Sequence, residues 1–279
     1  MRGKTIQIFL TDGSPSGIKV AEITSNIERA IVIPRNKLHE AIKRSETSRP
    51  GIYFLFGIDE DKAKPIVYIG ETKDGIKRIK SHDQKKDFWN YVVFIISKTN
   101  SFTKTHIAFL EELTIRKARE ADRFELENSA NPQQTEVPEQ LEADLLDSYD
   151  TIKMLLSTLG YPIFEKLGQP SKSKKDVYYS KGKDGKGEGQ YTDEGFVVFK
   201  SSICNLELSK TAGSSVKNLR DRLIVSGVLK KKGNVYVFES DYLFNSPSAA
   251  SNIILARKSN GWIEWKDKSG KTLDELKRN

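Results

Sequence analysis

Apolar and polar residues alternate at the N-terminus in the pattern of a β-hairpin. Ile6, Ile8 and Leu10 alternate along the first apolar run, turn residues follow in "TDGSPSG", and "IKVAEI" resumes the extended pattern. This pattern predicts a hairpin over residues 4–23. The next segment, "IPRNKLHEAIKRSE", predicts a short helix with Asn36 as its cap.

Between residues 51 and 128 the pattern alternates between strand and helix. Apolar runs rich in β-branched and aromatic residues predict three strands, in "IYFLFGI", "PIVYIGET" and "FWNYVVFIISK". A basic helix is predicted in "DGIKRIKSHDQK" and a long helix in "HIAFLEELTIRKAREADRF". One face of the long helix is expected to be buried, because its apolar positions recur at three to four residues: Ile107, Leu110, Thr114 and Ala118.

Residues 136–159 predict a further helix with one apolar and one acidic side. The apolar positions recur at helical spacing: Leu141, Leu145, Tyr149, Ile152 and Leu156. The acidic residues scatter around the helix, so we expect a solvated face rather than a metal cluster: Glu136, Glu139, Glu142, Asp144, Asp147 and Asp150.

The composition changes after residue 165. The stretch 166–190 is rich in Gly, Lys and Ser, which predicts a linker or a polar hairpin. Strands are then predicted in "GFVVFKSSI" and "NVYVFES", and helices in "SSVKNLRDRLIVSG", which Gly227 ends, and "NSPSAASNIILAR", which begins at Ser246 and Pro247. We predict a turn and short strand in "NGWIEW".

These patterns divide the chain into five predicted parts. They are an N-terminal hairpin and helix (1–48), a mixed domain (49–130), a helical extension (131–165), a Lys/Gly-rich linker or hairpin (166–194) and a C-terminal accessory domain (195–279).

Charge and cysteine content narrow the class of protein. The chain of 279 residues carries a net charge of +8, which suits a polyanionic partner and equally a basic protein without one. Its single cysteine, Cys204, excludes an internal disulfide, a thiolate zinc site and an iron–sulfur cluster, and we expect it to be a buried hydrophobe. No apolar run approaches the roughly 18 residues of a membrane span, and the first run is too short for a signal peptide. We therefore expect a cytoplasmic protein with no membrane partner.

Two short triplets, and several polar residues after them, carry side chains that could form an active site. The triplets are Gly51-Ile52-Tyr53 and Tyr68-Ile69-Gly70. Arg78 and His82 come next, four residues apart and therefore on the same face of the predicted basic helix. Glu111 lies on the long helix, and Asn128 ends the segment. A strand–strand–helix–strand–helix order can bring all of these side chains to one surface of a sheet.

This segment resembles the GIY-YIG nuclease family. Both triplets match literally, the arginine and histidine match in "YIGETKDGIKRIKSHD", the glutamate in "HIAFLEELTIRKA" and the asparagine in "LEN". The resemblance implies an α+β fold with a small three-stranded antiparallel sheet flanked by helices, and endonuclease activity. The N-terminal segment resembles the leader of a bacterial subgroup of this family. The part from about 200 to 276 is similar to a domain of unknown function that often follows these nucleases, and implies a second small α+β domain.

The resemblance also implies one divalent metal ion, Mg²⁺ or Mn²⁺, held by Glu111. A carboxylate is the hard oxygen ligand that Mg²⁺ takes while it keeps several waters. The neighbouring Glu112 would point about 100° away on the helix, so we expect Glu111 to be the ligand.

The other family residues imply roles in hydrolysis. Tyr53 takes the proton from the attacking water, which requires neighbours or a metal-bound water to lower the phenol pKa from about 10. Tyr68 hydrogen-bonds the water or the phosphate, and Arg78 binds the phosphate through its planar fork of donors. His82 supports the tyrosines or a phosphate, and Asn128 organises the site from its edge. Another tyrosine, Tyr91, is expected to be structural.

Cations and aromatics interleave in the C-terminal part, which suits phosphate contacts and base stacking. The alternative is that Trp262 and Trp265 pack the core of a small domain and the lysines form a solvated loop. The candidate nucleic-acid-binding residues are Lys217, Arg220, Arg222, Lys230, Lys231, Lys232, Arg257, Lys258, Trp262 and Lys266.

The sequence therefore predicts a metal-dependent DNA endonuclease, in phage defence, restriction or repair, with RNA left open as a substrate. Two alternatives stay open: an inactive nucleic-acid-binding protein, and an effector nuclease whose C-terminal domain binds a protein partner. One site cuts one strand, so double-strand cleavage would need a homodimer or sequential nicks.

Overall fold

The computed structural model describes residues 3–59, 62–80, 86–129, 134–167, 177–210 and 212–278. These residues form an α+β protein with two mostly antiparallel sheets and several helices. The structure divides the chain more coarsely than the five predicted parts, into two units. The first contains residues 1–59 and 64–165, and the second contains residues 60–63 and 166–279.

The sheet of the first unit has seven strands in the order β1-β2-β3-β6-β4-β5-β7. Neighbouring strands are antiparallel except β5 and β7, which are parallel. The strands are β1 (Ile6–Leu10), β2 (Lys19–Ile23), β3 (Glu28–Pro34), β4 (Gly51–Gly57), β5 (Ile66–Thr72), β6 (Trp89–Ser97) and β7 (Glu125–Leu126).

The predicted N-terminal hairpin is confirmed by β1 and β2, but the predicted helix after it is mostly wrong. The first two residues of that segment, Ile33 and Pro34, are the end of β3, whose apolar run lies buried between β2 and β6. A continuous apolar run of this kind is typical of a strand covered on both faces. Only α1 (Leu38–Ala41) is α-helical, and Asn36 lies in the 3-10 turn before it, where it caps no helix.

The three strands predicted between residues 51 and 97 are present as β4, β5 and β6, and they are neighbours in the sheet. The sheet is nevertheless larger than the predicted three strands, because β3 pairs with the free side of β6 and β7 with that of β5. Of the predicted basic helix, residues 74–85, Gly75–Arg78 forms a 3-10 helix after Asp74, and Ile79 and Lys80 continue as helix; residues 81–85 lie outside the described residues.

Helices α2 (Lys104–Ala121) and α3 (Glu139–Thr158) pack on one face of this sheet. The predicted apolar positions of α2 are all buried, and those of α3 are buried apart from the half-buried Leu141. The acidic residues of the second helical segment are exposed as predicted. Within the described parts of the chain, no group of three or more His, Cys, Asp or Glu side chains could hold a metal ion.

The sheet of the second unit has seven strands in the order β12-β13-β11-β9-β10-β14, with β8 paired to β9. Of the predicted linker or hairpin, residues 177–192 form the hairpin, and residues 168–176 lie outside the described residues. The strands are β8 (Val177–Lys181), β9 (Lys186–Thr192), β10 (Gly195–Val198), β11 (Ile203–Asn205), β12 (Leu229–Lys232), β13 (Val235–Phe238) and β14 (Tyr242–Phe244).

Four helices accompany this sheet: α4 (Ser214–Val225), α5 (Pro247–Leu255), α6 (Gly261–Glu264) and α7 (Leu273–Lys277). The start of α5 is as predicted, since the Ser246 side chain accepts a hydrogen bond from the Ala249 amide. The strand predicted in "NGWIEW" is wrong, because Asn260 caps the short α6 there.

Two side chains in this unit belong to its core. Cys204 is buried, which raises the pKa of its thiol to about 12, so it is the small hydrophobe expected. Trp265 is fully buried, and its indole N–H donates to the Pro247 carbonyl at 3.0 Å. Among the helices that the structure describes, none is both long and apolar enough to cross a membrane.

Candidate active site

Tyr53 and Gly70 face each other across β4 and β5, and this pairing explains the glycine of the second triplet. A Cβ atom on residue 70 would lie 2.4 Å from the Tyr53 hydroxyl oxygen and 2.5 Å from its Cζ. Such distances are far inside van der Waals contact. Only glycine at position 70 therefore lets the Tyr53 side chain, which is 1% exposed, lie across the neighbouring strand.

The two triplet tyrosines and Arg78 form a hydrogen-bonded series. The Arg78 guanidinium donates to the Tyr53 hydroxyl, and the hydroxyl groups of Tyr53 and Tyr68 share a hydrogen bond. The tyrosine rings lie 6.2 Å apart between centroids and are tilted by 35°. The 3-10 helix after β5 thus brings an exposed cation to a largely buried pair of phenols.

The pKa of Tyr53 is raised, contrary to the expectation that its neighbours lower it. Burial is the main cause and the nearby Tyr68 adds to it, while the charge and hydrogen bond of Arg78 act in the opposite direction. Burial likewise raises the pKa of Tyr68. Both side chains are therefore neutral phenols at neutral pH in this arrangement.

Glu111 reaches the outer edge of β5 from α2. Its Oε1 accepts a hydrogen bond from the Glu71 amide at 3.1 Å. The pKa of Glu111 is raised to about 7: burial and, after it, the charge of Glu71 raise it, while the hydrogen bond from the Glu71 amide and the charge of Arg78 act in the opposite direction. The neighbouring Glu112 pairs with Arg116 at 3.2 Å instead, so Glu111 is the carboxylate that faces the tyrosines and Arg78.

Asn128 binds the same edge of β5 at Ile69, two residues before Glu71. Its Oδ1 accepts from the Ile69 amide at 3.0 Å, and its Nδ2 donates to the Ile69 carbonyl at 2.8 Å. The side chain thereby extends the pairing of β5 with β7 beyond the end of β7. Since alternate amides of a strand point to the same side, Asn128 and Glu111 accept from two successive outward amides of β5.

The structure thus brings together four of the six predicted catalytic residues, Tyr53, Tyr68, Arg78 and Glu111, with Asn128 on the adjoining edge. His82 lies outside the described residues. Tyr91 is opposite Phe56 on β6, hence on the other face of the sheet from Tyr53.

Sequence reasoning missed Glu71 and Lys86. Glu71 directly follows the second triplet, and its position on an alternating strand was the available signal. The Lys86 ammonium lies 4.5 Å from the centre of the Tyr68 ring and 3.8 Å from a Glu127 carboxylate oxygen. No motif marked this lysine.

The oxygen donors of the site fit a hydrated divalent cation. Glu111 uses Oε1 for the Glu71 amide, and its other oxygen accepts no hydrogen bond from the described residues. Mg²⁺ and Mn²⁺ accept a site with one or two carboxylates, and Mg²⁺ usually keeps several waters. Zinc would need a set of nitrogen or sulfur ligands that this site does not offer within the described residues.

The predicted nucleic-acid-binding residues of the second unit lie on separate elements. Lys217 and Arg222 are exposed on α4, and Lys230–Lys232 are exposed on β12, an edge strand of the sheet. Lys232 pairs with Glu239 at 2.7 Å, and the positive charge of Lys230 also helps to lower the pKa of that carboxylate. Lysines on an edge strand also prevent strand addition, so their exposure alone does not identify a phosphate surface.

Arg220 does not belong to such a surface, and we correct that part of the prediction. It is 2% exposed, it donates to the Asn205 and Leu206 carbonyls, and its guanidinium lies 4.8 Å from the centre of the Tyr236 ring. Burial lowers the pKa of this guanidinium. Arg220 therefore holds the loop after β11.

Some of the candidate residues around α6 already contact other residues of the second unit, and others are exposed. Arg257 pairs with Glu264 at 2.7 Å, while Lys258 and Lys266 are exposed. Trp262 is half-buried against Tyr191, and the Arg278 guanidinium lies 3.6 Å from the centre of the Trp262 indole. The tryptophan would have to exchange Arg278 for a base in order to stack on nucleic acid.

Comparison with known proteins finds a likeness in this second unit. Residues 178–277 match the family described as a domain of unknown function, DUF4357. The match covers the elements from β8 to α7 and less than half of the chain. It includes the part from about 200 to 276 in which the sequence predicted a domain of unknown function, and it begins earlier, in the β8–β9 hairpin. No curated protein and no solved structure matches the chain.

Proposed function

We propose that the first unit is a metal-dependent endonuclease of the GIY-YIG type that hydrolyses phosphodiester bonds in DNA. The observation that carries the proposal is the hydrogen-bonded series from Arg78 through Tyr53 to Tyr68, set beside the half-buried Glu111. Taken singly, each of these residues has an ordinary structural role, but together they form a compact group of phosphate-binding, proton-handling and metal-binding side chains.

The arrangement of strands supports the same proposal. Strands β5, β4 and β6 are adjacent and antiparallel, and α2 packs beside them, as a GIY-YIG domain requires. In this interpretation β1, β2, β3 and β7 widen a three-stranded nuclease sheet without interrupting it.

The roles follow from position and charge. Arg78 is exposed and cationic, so it binds a phosphate oxygen and opposes the charge that develops there. Tyr53 and Tyr68 are neutral phenols, so their hydroxyl groups orient the attacking water. Arg78 is also the group that favours the phenolate of Tyr53. Once the Tyr53 hydroxyl has released its proton to solvent, the phenolate oxygen can accept a proton from the attacking water.

Glu111 is the residue that would hold the divalent cation, with Glu71 as its neighbour. When bound, the cation supplies positive charge that stabilises the phosphoryl and leaving oxygens. Asn128 acts as a positioning residue, because it fixes the backbone of Ile69. This residue lies between Tyr68 and Gly70, the residue opposite Tyr53.

The second unit is proposed as the accessory part that holds nucleic acid through exposed cations. Affinity for nucleic acid comes mainly from phosphate contacts and falls with salt. The candidates that the structure leaves exposed are Lys217, Arg222, Lys230, Lys231, Lys232, Lys258 and Lys266.

A cleavage assay with matched variants tests the nuclease. The full chain is incubated with plasmid DNA, linear DNA and RNA in the presence of Mg²⁺, Mn²⁺ or EDTA. Tyr53→Phe and Glu111→Gln are expected to reduce cleavage by at least about 100-fold. The controls Tyr91→Phe and Glu112→Gln make the same substitutions on the other face of the sheet and one residue along the helix, and should cleave like the wild type.

The outcome separates the alternatives. Cleavage that survives both Tyr53→Phe and Glu111→Gln would contradict the proposed site. Salt-dependent binding without any cleavage would indicate the inactive nucleic-acid-binding protein. Neither cleavage nor binding across these substrates would favour a protein partner for the second unit.

A further inference from the structure

Strand β1 forms an edge of the first sheet and carries no charge. Its residues Ile6–Leu10 are uncharged, with Ile8 47% exposed and Phe9 62% exposed. Edge strands of this kind are sites of strand addition, and proteins usually shorten them or place lysine or proline on them.

Other edge strands of this protein carry such protection. Strand β12 has three consecutive lysines, Lys230–Lys232, while β7 is two residues long and β14 is three. Strand β1 has five residues and neither lysine nor proline within them. The contrast indicates that its outer side serves for pairing.

The hydrogen bonds to β2 identify which backbone groups of β1 face outward. The Thr24 amide donates to the Thr5 carbonyl at 3.3 Å, and the Thr11 amide donates to the Ile18 carbonyl at 3.1 Å. Thr5 and Thr11 therefore face β2, and by alternation the groups of Ile6, Ile8 and Leu10 face away from it. Of these groups, the Leu10 carbonyl already accepts from the Gly13 amide at 3.2 Å. Among the described residues, no strand pairs with this outer side.

We propose that β1 pairs antiparallel with β1 of a second copy of this chain, about a twofold axis at Ile8. In this register the Ile8 amide donates to the Ile8 carbonyl of the second copy, and the Leu10 amide donates to its Ile6 carbonyl, each twice by symmetry. The pattern is self-complementary, because Ile6 lies opposite Leu10 and Ile8 lies opposite Ile8 of the second copy. Every one of these paired side chains is apolar.

Charge favours the same register. Lys4 and Asp12 lie equally far from Ile8 on its two sides, and both are exposed. Pairing about Ile8 therefore brings Lys4, just before β1 of one copy, to the same end of the strand pair as Asp12, in the turn after β1 of the other. A parallel arrangement in register would instead set like charges beside each other.

Pairing would also extend the two buried faces of the sheet. Ile8 is opposite Ala21 on the face that α2 and α3 cover, and Phe9 is opposite Val20 on the other face. A second copy would continue both apolar surfaces and cover the two exposed side chains. A dimer of this kind joins two seven-stranded sheets edge to edge.

Sedimentation velocity of the full chain over a range of micromolar concentrations tests the dimer. The wild type is expected to sediment as a dimer, and Ile8→Pro, which removes the central outward amide, should weaken the dimer at least about tenfold. Proline is tolerated on the outer side of an edge strand, so the variant should retain its circular dichroism spectrum. The matched Ile8→Thr variant keeps the amide and should remain dimeric.

Cysteine cross-linking tests the register independently of folding effects at Ile8→Pro. Ile8→Cys should form a disulfide-linked dimer under mild oxidation, since the two Cys side chains would be opposite each other. Phe9→Cys should not, because its opposite residue is Gln7. The native Cys204 is buried and does not interfere.

A monomeric wild type, a dimer that Ile8→Pro leaves intact, or cross-linking at position 9 in place of position 8 would each overturn the proposal. These results are independent of the nuclease: a monomer that cleaves DNA would refute the dimer and leave the proposed function, and a dimer that cleaves nothing would do the reverse.

Discussion

Replacing Glu111 by glutamine is expected to stabilise the protein above pH 7 when no divalent cation is present. Glutamine keeps an oxygen to accept the Glu71 amide, which donates to Glu111 at 3.1 Å, and removes the charge that burial disfavours. The pKa of Glu111 is raised from 4.5 to about 7 by burial and by Glu71. A carboxylate that serves as a metal ligand is thus expected to reduce stability until the metal binds.

The sign and size follow from proton linkage. The folded state holds the Glu111 proton more tightly than the unfolded state, so this contribution is fully present below pH 4.5 and is lost as the pH rises through about 7. The shift corresponds to at most about 3 kcal/mol, and because the carboxylate is partly open to solvent we reduce it to about 1–2 kcal/mol. That difference should raise the melting temperature of Glu111→Gln above the wild type by roughly 2–8 °C at pH 8, and by little at pH 4.

Thermal unfolding between pH 4 and pH 9 in EDTA, repeated with Mg²⁺, measures this effect. Mg²⁺ should stabilise the wild type and leave Glu111→Gln unchanged. The control Glu112→Gln loses the ion pair with Arg116, worth up to about 1 kcal/mol, and should not gain stability at high pH. The reasoning is refuted if Glu111→Gln melts below the wild type at pH 8 in EDTA, or if their difference is the same at pH 5 and pH 8.

Three further predictions concern the site edge and the second unit. Gly70→Ala should displace Tyr53, lower stability by about 1–3 kcal/mol and abolish cleavage. The control Gly213→Ala has open space around its Cβ and should change neither stability nor cleavage. Equal melting temperatures of the two variants would contradict the packing argument. Asn128→Ala leaves the Ile69 amide and carbonyl without their partner and should cost about 1–3 kcal/mol in urea unfolding; an unchanged midpoint would show that water replaces it. Arg220→Met should lower stability without changing the salt dependence of DNA binding, whereas Lys230→Gln should keep stability and reduce the salt slope by about 1; the opposite pattern would place Arg220 at the nucleic acid.

Local patterns in the sequence predicted several elements correctly. The buried face of α2 follows from apolar residues every three to four positions, and the start of α5 from a serine cap followed by proline at the first helical position. These features depend on neighbours within one or two turns, so the sequence alone carries them. The order of Tyr53, Tyr68, Arg78 and Glu111 likewise named residues that the fold brings together, although their activity stays a prediction.

Tertiary structure decided the features that depend on distant partners. The sequence pattern did not identify strand β3, because its apolar run is explained only by pairing with β6, about 60 residues later. Arg220 and Arg222 are two residues apart on α4, yet one is buried and the other exposed, because only one turns toward the loop after β11. The pattern of cations did not distinguish them.

The chemistry of the site shows the same division. The order of residues along the chain specifies which groups are available: two phenols, a guanidinium, a carboxylate and an amide. The register of β4 against β5 then placed Tyr53 opposite Gly70. At the outer edge of β5, the Glu71 amide donates a hydrogen bond to Glu111. Burial in that arrangement raised the pKa values of Tyr53 and Glu111. Protonation depends on solvent exposure and on charges from distant parts of the chain, and these exist only once the sheet and α2 have packed.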